Sequence, residues 1–194
     1  MIDRNANDTA NPLTAYEITE SDVVYKGRIV QVRRDKIKMP AGNVATREVV
    51  ETTDAVAMVA LDTSNNICLI RQYRHPQRDF VWELPAGRMD KASETALETA
   101  RRELEEEVQL TSETWTKLAT SISSPGFASE RIHIFLAENV RRCAAPAGFE
   151  ARNEERGIVI EMRSLRDAVA DVLNGSIADS KTALGILLAG RRTL

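Results

Sequence analysis

Three carboxylates share one edge of a helix. Glu103, Glu106 and Glu107 stand at i, i+3 and i+4 within the run Arg102-Glu-Leu-Glu-Glu-Glu-Val108. At about 100° per residue this spacing gathers them within roughly a 100° arc. Leu97, Ala100, Leu104 and Val108 form an adjacent apolar stripe, so the helix packs by the stripe and carries the carboxylates along its border. Like charges stacked in this way cost about 0.2–0.5 kcal/mol per i,i+4 pair even on an exposed helix. The helix C-terminus, itself negative, adds to that cost. A hard divalent cation would remove the repulsion, and Mg²⁺ takes one or two carboxylates together with water and substrate phosphates. A solvated glutamate face is the other reading of such a run, and Arg101 and Arg102 are available to pair with it. The residues before the helix favour the cation. A short strand, Phe80-Val-Trp-Glu-Leu84, a Pro85-Ala-Gly87 turn and a polar loop aim backbone groups and carboxylates at one place.

The elements that must position these groups follow from hydrophobic pattern. The spacing predicts the helix over Ser93 to Val108, with Ser93 as N-cap. Ala55-Val-Ala-Met-Val-Ala-Leu61 and Ile67-Cys-Leu-Ile70 are continuous apolar runs, the pattern of strands buried on both faces. They flank the turn Asp62-Thr-Ser-Asn-Asn66 and are expected to pair as a hairpin, after which Arg71-Gln-Tyr-Arg-His-Pro76 begins a loop. Trp115–Ser121, Arg131–Ala137 and Gly157–Met162 read as further strands, the first two around the loop Ser123-Ser-Pro-Gly-Phe127. Ser164–Leu173 and Asp179–Ala189 read as two last helices, broken at Asn174-Gly175. Ahead of all this, Val23–Tyr25, Ile29–Val32, Asp35–Met39 and Val44–Val50 suggest a small antiparallel meander over residues 16–50, too small to bury much by itself. The expected organisation is a flexible segment over 1–15, a small β domain over 16–50 and an α/β sandwich over 51–194.

Composition sets the outer bounds. The chain has 194 residues, 43% of them hydrophobic and 28% charged, with a formal net charge of −3. These values are ordinary for a soluble protein and lack the basic excess of a nucleic-acid binder. No apolar run approaches the ~20 residues of a membrane span, and Met1–Asn11 lacks the apolar stretch of a signal peptide. Cys68 and Cys143 belong to no CxxC pair, which points to free thiols in a reducing cytoplasm. His75 beside Pro76 and His133 on a strand read as structural.

Gly87, Glu94 and Arg102-Glu-Leu-Glu-Glu-Glu107 resemble the Nudix box, Gly-x5-Glu-x7-Arg-Glu-U-x-Glu-Glu-x-Gly-U with U aliphatic. The stretch from Glu94 to Arg102 matches, and Leu110 fits the closing aliphatic position. Two positions depart from the pattern: six residues separate Gly87 from Glu94, and Gln109 stands where the closing Gly belongs. The insertion lies in a loop, where length changes are tolerated, and a non-Gly residue in a left-handed cap costs about 1 kcal/mol. Arg71-Gln-Tyr-Arg-His-Pro76, Trp82-Glu-Leu-Pro-Ala-Gly87, Arg47-Glu-Val-Val50 and Ser124-Pro-Gly-Phe127 are similar to the ADP-ribose pyrophosphatase branch of that family.

The resemblance implies an α/β/α sandwich of mixed sheets, with an N-terminal β domain swapped across a homodimer. It implies Mg²⁺-dependent (or Mn²⁺-dependent) cleavage of the diphosphate of ADP-ribose or a related nucleotide sugar. Glu103, Glu106 and Glu107 and the Ala86 carbonyl would hold the metal, and Arg102, paired with Glu94 or Glu106, would orient the cluster. Glu155, with Glu154 as alternative, would be the general base, and Arg47, Arg74, Glu83 and Gly126 would contact substrate. GDP-mannose, a dinucleotide or a nucleoside triphosphate would fit the same box, which carries the diphosphate chemistry and not the leaving groups. A catalytically silent binding module would be marked by lost box carboxylates, and all are present here.

Overall fold

The computed structural model describes residues 16–144, 146 and 157–193. The described chain divides into two compact units, residues 16–52 with Ser124–Ser129, and Thr53–Ser123 with residues 130–193. In the first unit, β1 (Glu17–Lys26), β2 (Gln31–Lys38) and β3 (Val44–Glu51) form an antiparallel sheet in the order β1-β2-β3. Within the expected meander, the clusters Ile29–Val32 and Asp35–Met39 lie largely in the single strand β2, since no turn-forming residue interrupts Arg33-Arg34. Asp35 is buried between Arg33, whose Nε donates to both carboxylate oxygens at 3.0 and 2.9 Å, and the Ser21 hydroxyl at 2.7 Å. The Ser124–Ser129 loop runs beside β3: the Val50 N–H donates to the Phe127 carbonyl at 2.7 Å, and the Ser129 N–H to the Val50 carbonyl at 3.0 Å.

The second unit is built around β4 (Ala55–Ala60), whose side chains alternate between two cores. Ala57 and Val59 face one core with Ile134, Leu136, Leu165 and Ile186; Val56, Met58 and Ala60 face the other with Ala100, Leu104, Val108 and Phe135. A strand of period two that is apolar on both faces requires cover on both sides. Here α1 (Ala96–Val108) supplies one cover, and α2 (Leu165–Leu173) with α3 (Ser180–Thr193) the other. This is the expected mixed α/β sandwich. β4 pairs with β7 (Ala86–Arg88) on one edge and, in parallel, with β10 (Arg131–Glu138) on the other; β9 (Thr114–Ile122) completes the order β7-β4-β10-β9. A second sheet has the order β12-β5-β6, from β5 (Asn66–Arg74), β6 (Asp79–Glu83) and β12 (Val159–Ser164). Two short strands, β8 (Leu110–Thr111) and β11 (Arg141–Arg142), pair with each other.

The expected β4–β5 hairpin is reduced to a single antiparallel bridge, Leu61 with Ile67, just past the end of β4. Each strand has two hydrogen-bonding edges, and β4 spends both on β7 and β10 while β5 spends both on β12 and β6. The Asp62 turn, whose carboxylate accepts from the Ser64 and Asn66 N–H groups at 2.8 Å each, therefore leads from one sheet into the other. β5 also runs through Arg74, so most of the segment expected as loop is strand, aligned by pairing with β6.

The central helix begins two residues beyond where a Ser93 cap would start it. Thr95, and not Ser93, is the N-cap: its hydroxyl accepts from the Glu98 N–H at 3.3 Å while the Glu98 carboxylate accepts from the Thr95 N–H at 2.8 Å. This reciprocal pair is a capping box, and Ser93 has no Glu or Gln three residues on with which to form one. At the other end Gln109 adopts φ 53°, ψ 44°, the left-handed cap expected there. Among the described residues no helix is long and apolar enough to cross a membrane.

Candidate active site

The strand–turn–helix segment brings β7 against the edge of α1. A Cβ built on Gly87 would lie 2.0 Å from the Glu103 carboxyl carbon, so only glycine lets the strand pass this closely to the carboxylate. One residue earlier, the Ala86 N–H donates to Glu107 Oε2 at 2.9 Å. The turn therefore holds Glu107 beside the Ala86 backbone and leaves Glu103 against Gly87.

Arg102 organises the rest of the helix edge. Its Nε donates to both oxygens of Glu94 at 3.0 Å, and its Nη1 to Glu103 Oε1 at 2.7 Å and Glu106 Oε2 at 2.8 Å. Nη2 is buried with the Asp90 carboxylate at 3.8 Å. Glu94, at the end of the lengthened loop, also accepts from the Thr99 hydroxyl at 3.2 Å, so the extra residue leaves it in register with Arg102. Pairing with both Glu94 and Glu106 exceeds the single partner expected of Arg102. The side chains of Glu94, Arg102, Glu103 and Glu106 are 15–21% exposed, so the cluster is partly dehydrated and its charges are less screened than on a free surface. Burial pushes the Glu103 carboxyl above its ordinary range, against the opposing pull of Arg102. The Glu94 carboxyl is held below its range, chiefly by its hydrogen bond from Arg102.

Four carboxylates thus surround one guanidinium, and the donor set is hard oxygen throughout, which is the chemistry of Mg²⁺ and Mn²⁺ sites. Among the described residues no three such side chains already converge on one point as a metal cage, because Arg102 stands between Glu103 and Glu106. Mg²⁺ does not require a closed cage of side chains, since water and phosphate oxygens complete its shell. Glu103, Glu106 and Glu107, with the Ala86 carbonyl, fit it in that sense.

A second ionic cluster is built from residues distant in sequence. Glu83, at the end of β6, has a side chain only 2% exposed. Arg74 Nε and Nη2 grip its two oxygens at 2.6 and 2.8 Å, and Lys181 Nζ also donates to Oε2. Burial raises the Glu83 pKa, but the Arg74 hydrogen bond and the Lys181 charge outweigh it and hold the carboxyl below its usual range. Lys181, in the first turn of α3, and Asp179, just before that helix, were not singled out by the sequence; Asp179-Ser-Lys-Thr182 signals only a helix start.

Arg47 and Gly126 belong to the other compact unit. Arg47 lies exposed on β3, with Nη1 donating to the Thr46 carbonyl at 2.9 Å, and Gly126 lies in the Ser124–Ser129 loop. Glu154 and Glu155 lie outside the described residues. His133 is held between Asp54 at 3.6 Å and Thr120 at 3.1 Å, and His75 is 3.5 Å from the Tyr73 hydroxyl. Both cysteines are free; Cys68 is buried, its thiol pushed up to about 12 by burial and then by Glu107, so it is inert packing.

Comparison with known proteins gives this geometry a family. Residues 51–171 match the NUDIX domain, and residues 16–50 match the nucleoside diphosphate sugar hydrolase N-terminal domain. An ADP-ribose pyrophosphatase of Mycobacterium tuberculosis is 40% identical over 89% of this chain and 82% of its own. A methanol dehydrogenase activator of Bacillus methanolicus is 33% identical over 86% of this chain and 88% of its own. The crystal structure of an ADP compounds hydrolase superposes with a TM-score of 0.78 at 20% identity, covering 91% of this chain and 93% of that one, a likeness of fold. With its box segment intact in carboxylates and the domain match spanning most of the chain, this protein belongs to the Nudix family.

Proposed function

We propose that the protein is a Nudix pyrophosphatase that hydrolyses the diphosphate bridge of ADP-ribose, or of a closely related nucleoside diphosphate sugar, to AMP and a sugar phosphate. The observation that carries this is the α1 edge, where Arg102 ties Glu94, Glu103 and Glu106 together beside Gly87 and the Ala86 N–H fixes Glu107. The choice of substrate is supported by 40% identity to an ADP-ribose pyrophosphatase through both halves of the chain.

Nudix hydrolases generally use divalent metals. In this chain we assign Mg²⁺, with Mn²⁺ able to replace it, to Glu103, Glu106, Glu107 and the Ala86 carbonyl. When bound, the metal neutralises diphosphate charge and aligns the attacking water. Arg102 holds the carboxylates in place from behind, as groups outside a metal's own ligands do. Arg74 and Arg47 suit the diphosphate oxygens because a guanidinium fork can grip two at once, and Gly126 offers an approach without a side chain. Glu155, or Glu154 beside it, takes the proton from the attacking water.

We further propose that residues 16–50 form a small domain exchanged between the subunits of a homodimer. Support comes from β1, all ten residues of which are exposed, Val23, Val24 and Tyr25 among them. Such a surface on a soluble chain calls for cover. A cytoplasmic location accords with the two free thiols.

The test is product release with Mg²⁺ on a panel of ADP-ribose, GDP-mannose, a dinucleotide and a nucleoside triphosphate. AMP from ADP-ribose is the expected product; its absence sinks the substrate assignment. Glu155→Gln should lower kcat by about 10²–10⁴-fold and Glu154→Gln by far less. The reverse order would move the base to Glu154.

A further inference from the structure

Glu83 is paired with two cations, and the two are held very differently. Arg74 reaches it from β5 with a side chain 44% exposed, whereas the Lys181 side chain is 13% exposed. Lys181 is anchored a second time by Asp179 at 2.9 Å. Asp179 is itself locked, accepting from the Thr182 N–H at 3.0 Å and the Thr182 hydroxyl at 2.6 Å. That hydroxyl in turn accepts from the Leu84 N–H at 2.8 Å. The first turn of α3 is thus fastened to the residue that follows Glu83, and Lys181 cannot leave without dismantling the rack. Arg74 can. Its fork holds two carboxylate oxygens in the geometry that two phosphate oxygens would offer, so one acceptor can be exchanged for the other. A carboxylate as buried as Glu83 resists losing its only cation, and here it has a second.

We propose that Lys181 is a positioning residue: it keeps Glu83 paired and so frees Arg74 to turn to the diphosphate of the substrate. The role rests on the diphosphate-hydrolase reading above. It adds a residue from the far end of the chain, outside the Nudix box, that sets how strongly substrate is held. Without Lys181, Arg74 is, among the described residues, the sole partner of a buried carboxylate and stays with it.

A double-mutant cycle on the full-length enzyme with Mg²⁺ and ADP-ribose tests this. Lys181→Met should raise KM about 10-fold with kcat changed less than about 3-fold, because a substrate contact made in both ground and transition states is lost. Lys181→Arg should recover KM to within about 3-fold of the wild type, since it restores the charge. In an Arg74→Ala background, Lys181→Met should shift KM by less than about 2-fold, because the residue it frees is gone. A thermal melt checks folding, and Lys181→Gln replaces the Met variant in the same cycle if the latter does not fold. An equal KM rise with and without Arg74, an unchanged KM, or a loss confined to kcat overturns the proposal. If the wild type leaves ADP-ribose intact but cleaves another diphosphate, the substrate assignment alone fails, and the cycle on that diphosphate decides. A wild type that cleaves no diphosphate overturns both.

Discussion

The α1 edge and the Glu83 cluster are both partly buried ionic networks, the first centred on an arginine and the second on a glutamate, and their charge balance differs. Around Arg102 stand Glu94, Glu103, Glu106 and, at 3.8 Å, Asp90, a surplus of negative charge. In the Glu83 cluster two cations, Arg74 and Lys181, meet two carboxylates, Glu83 and Asp179. A surplus is unfavourable until a cation or a proton joins it, so the first network is poised to bind. A balanced network is complete as it stands, so the second is suited to hold parts in place and exchange one partner. Networks alike in composition thus serve different ends according to net charge and to how firmly each member is anchored.

The largest effect expected from this contrast is at Glu107. Glu107→Gln removes a proposed ligand while keeping an oxygen that can still accept from the Ala86 N–H, so turnover should fall by about 10³-fold or more, since a metal contributes several kcal/mol to the transition state. The melting temperature should move little. Activity near the wild-type level would break the assignment of the α1 edge to metal.

Next in size is Gly87→Ala. The added methyl would meet the Glu103 carboxyl at 2.0 Å, and overpacking of this kind costs about 1–3 kcal/mol. Displacing Glu103 should also lower kcat and raise the Mg²⁺ concentration needed for half-maximal rate. A variant with unchanged Mg²⁺ dependence would show that Glu103 does not need its place against β7.

A pH series addresses the balanced network. The Glu83 carboxyl is depressed in the folded state, so its contribution to stability is present above the unfolded carboxylate value and is lost as pH falls through the folded one. Melting temperatures of wild type and Glu83→Gln should differ most above about pH 5, beyond the range of an unfolded glutamate, and converge only as pH falls through the lowered folded value. A gap that stays constant with pH would mean that the charge of Glu83 contributes nothing.

The smallest effect is expected at Gln109, whose φ of 53° lies in the left-handed region. Gln109→Gly should add about 1 kcal/mol, or roughly 2–4 °C in melting temperature for a chain of this size. Because it touches neither network, turnover should stay at the wild-type level.

The two networks also differ in how much of each could be read from the chain alone. Glu94, Arg102, Glu103 and Glu106 lie within thirteen consecutive residues, and the period of a helix alone sets three of them side by side. Glu83 could be suspected of lining a site, but nothing near it names Lys181, 98 residues away. The N-cap turns on Glu98: Ser93 and Thr95 both favour caps, and only Thr95 has a Glu three residues on to return the bond. The edges of β4 and β5 are not legible because an apolar run reveals that both faces of a strand are covered, and not which strand takes each edge.

Interactions between neighbours along the chain account for the carboxylate edge of α1, the left-handed turn at Gln109, the apolar strands and the Nudix resemblance. Helix periodicity and turn preference act over a few residues, so they survive without a fold. Not legible in the chain were the partners of β4 and β5, the closeness of Gly87 to Glu103, and the joining of Arg74, Glu83 and Lys181. Those depend on which distant segments share an edge or a buried space, and that is settled when the whole core closes.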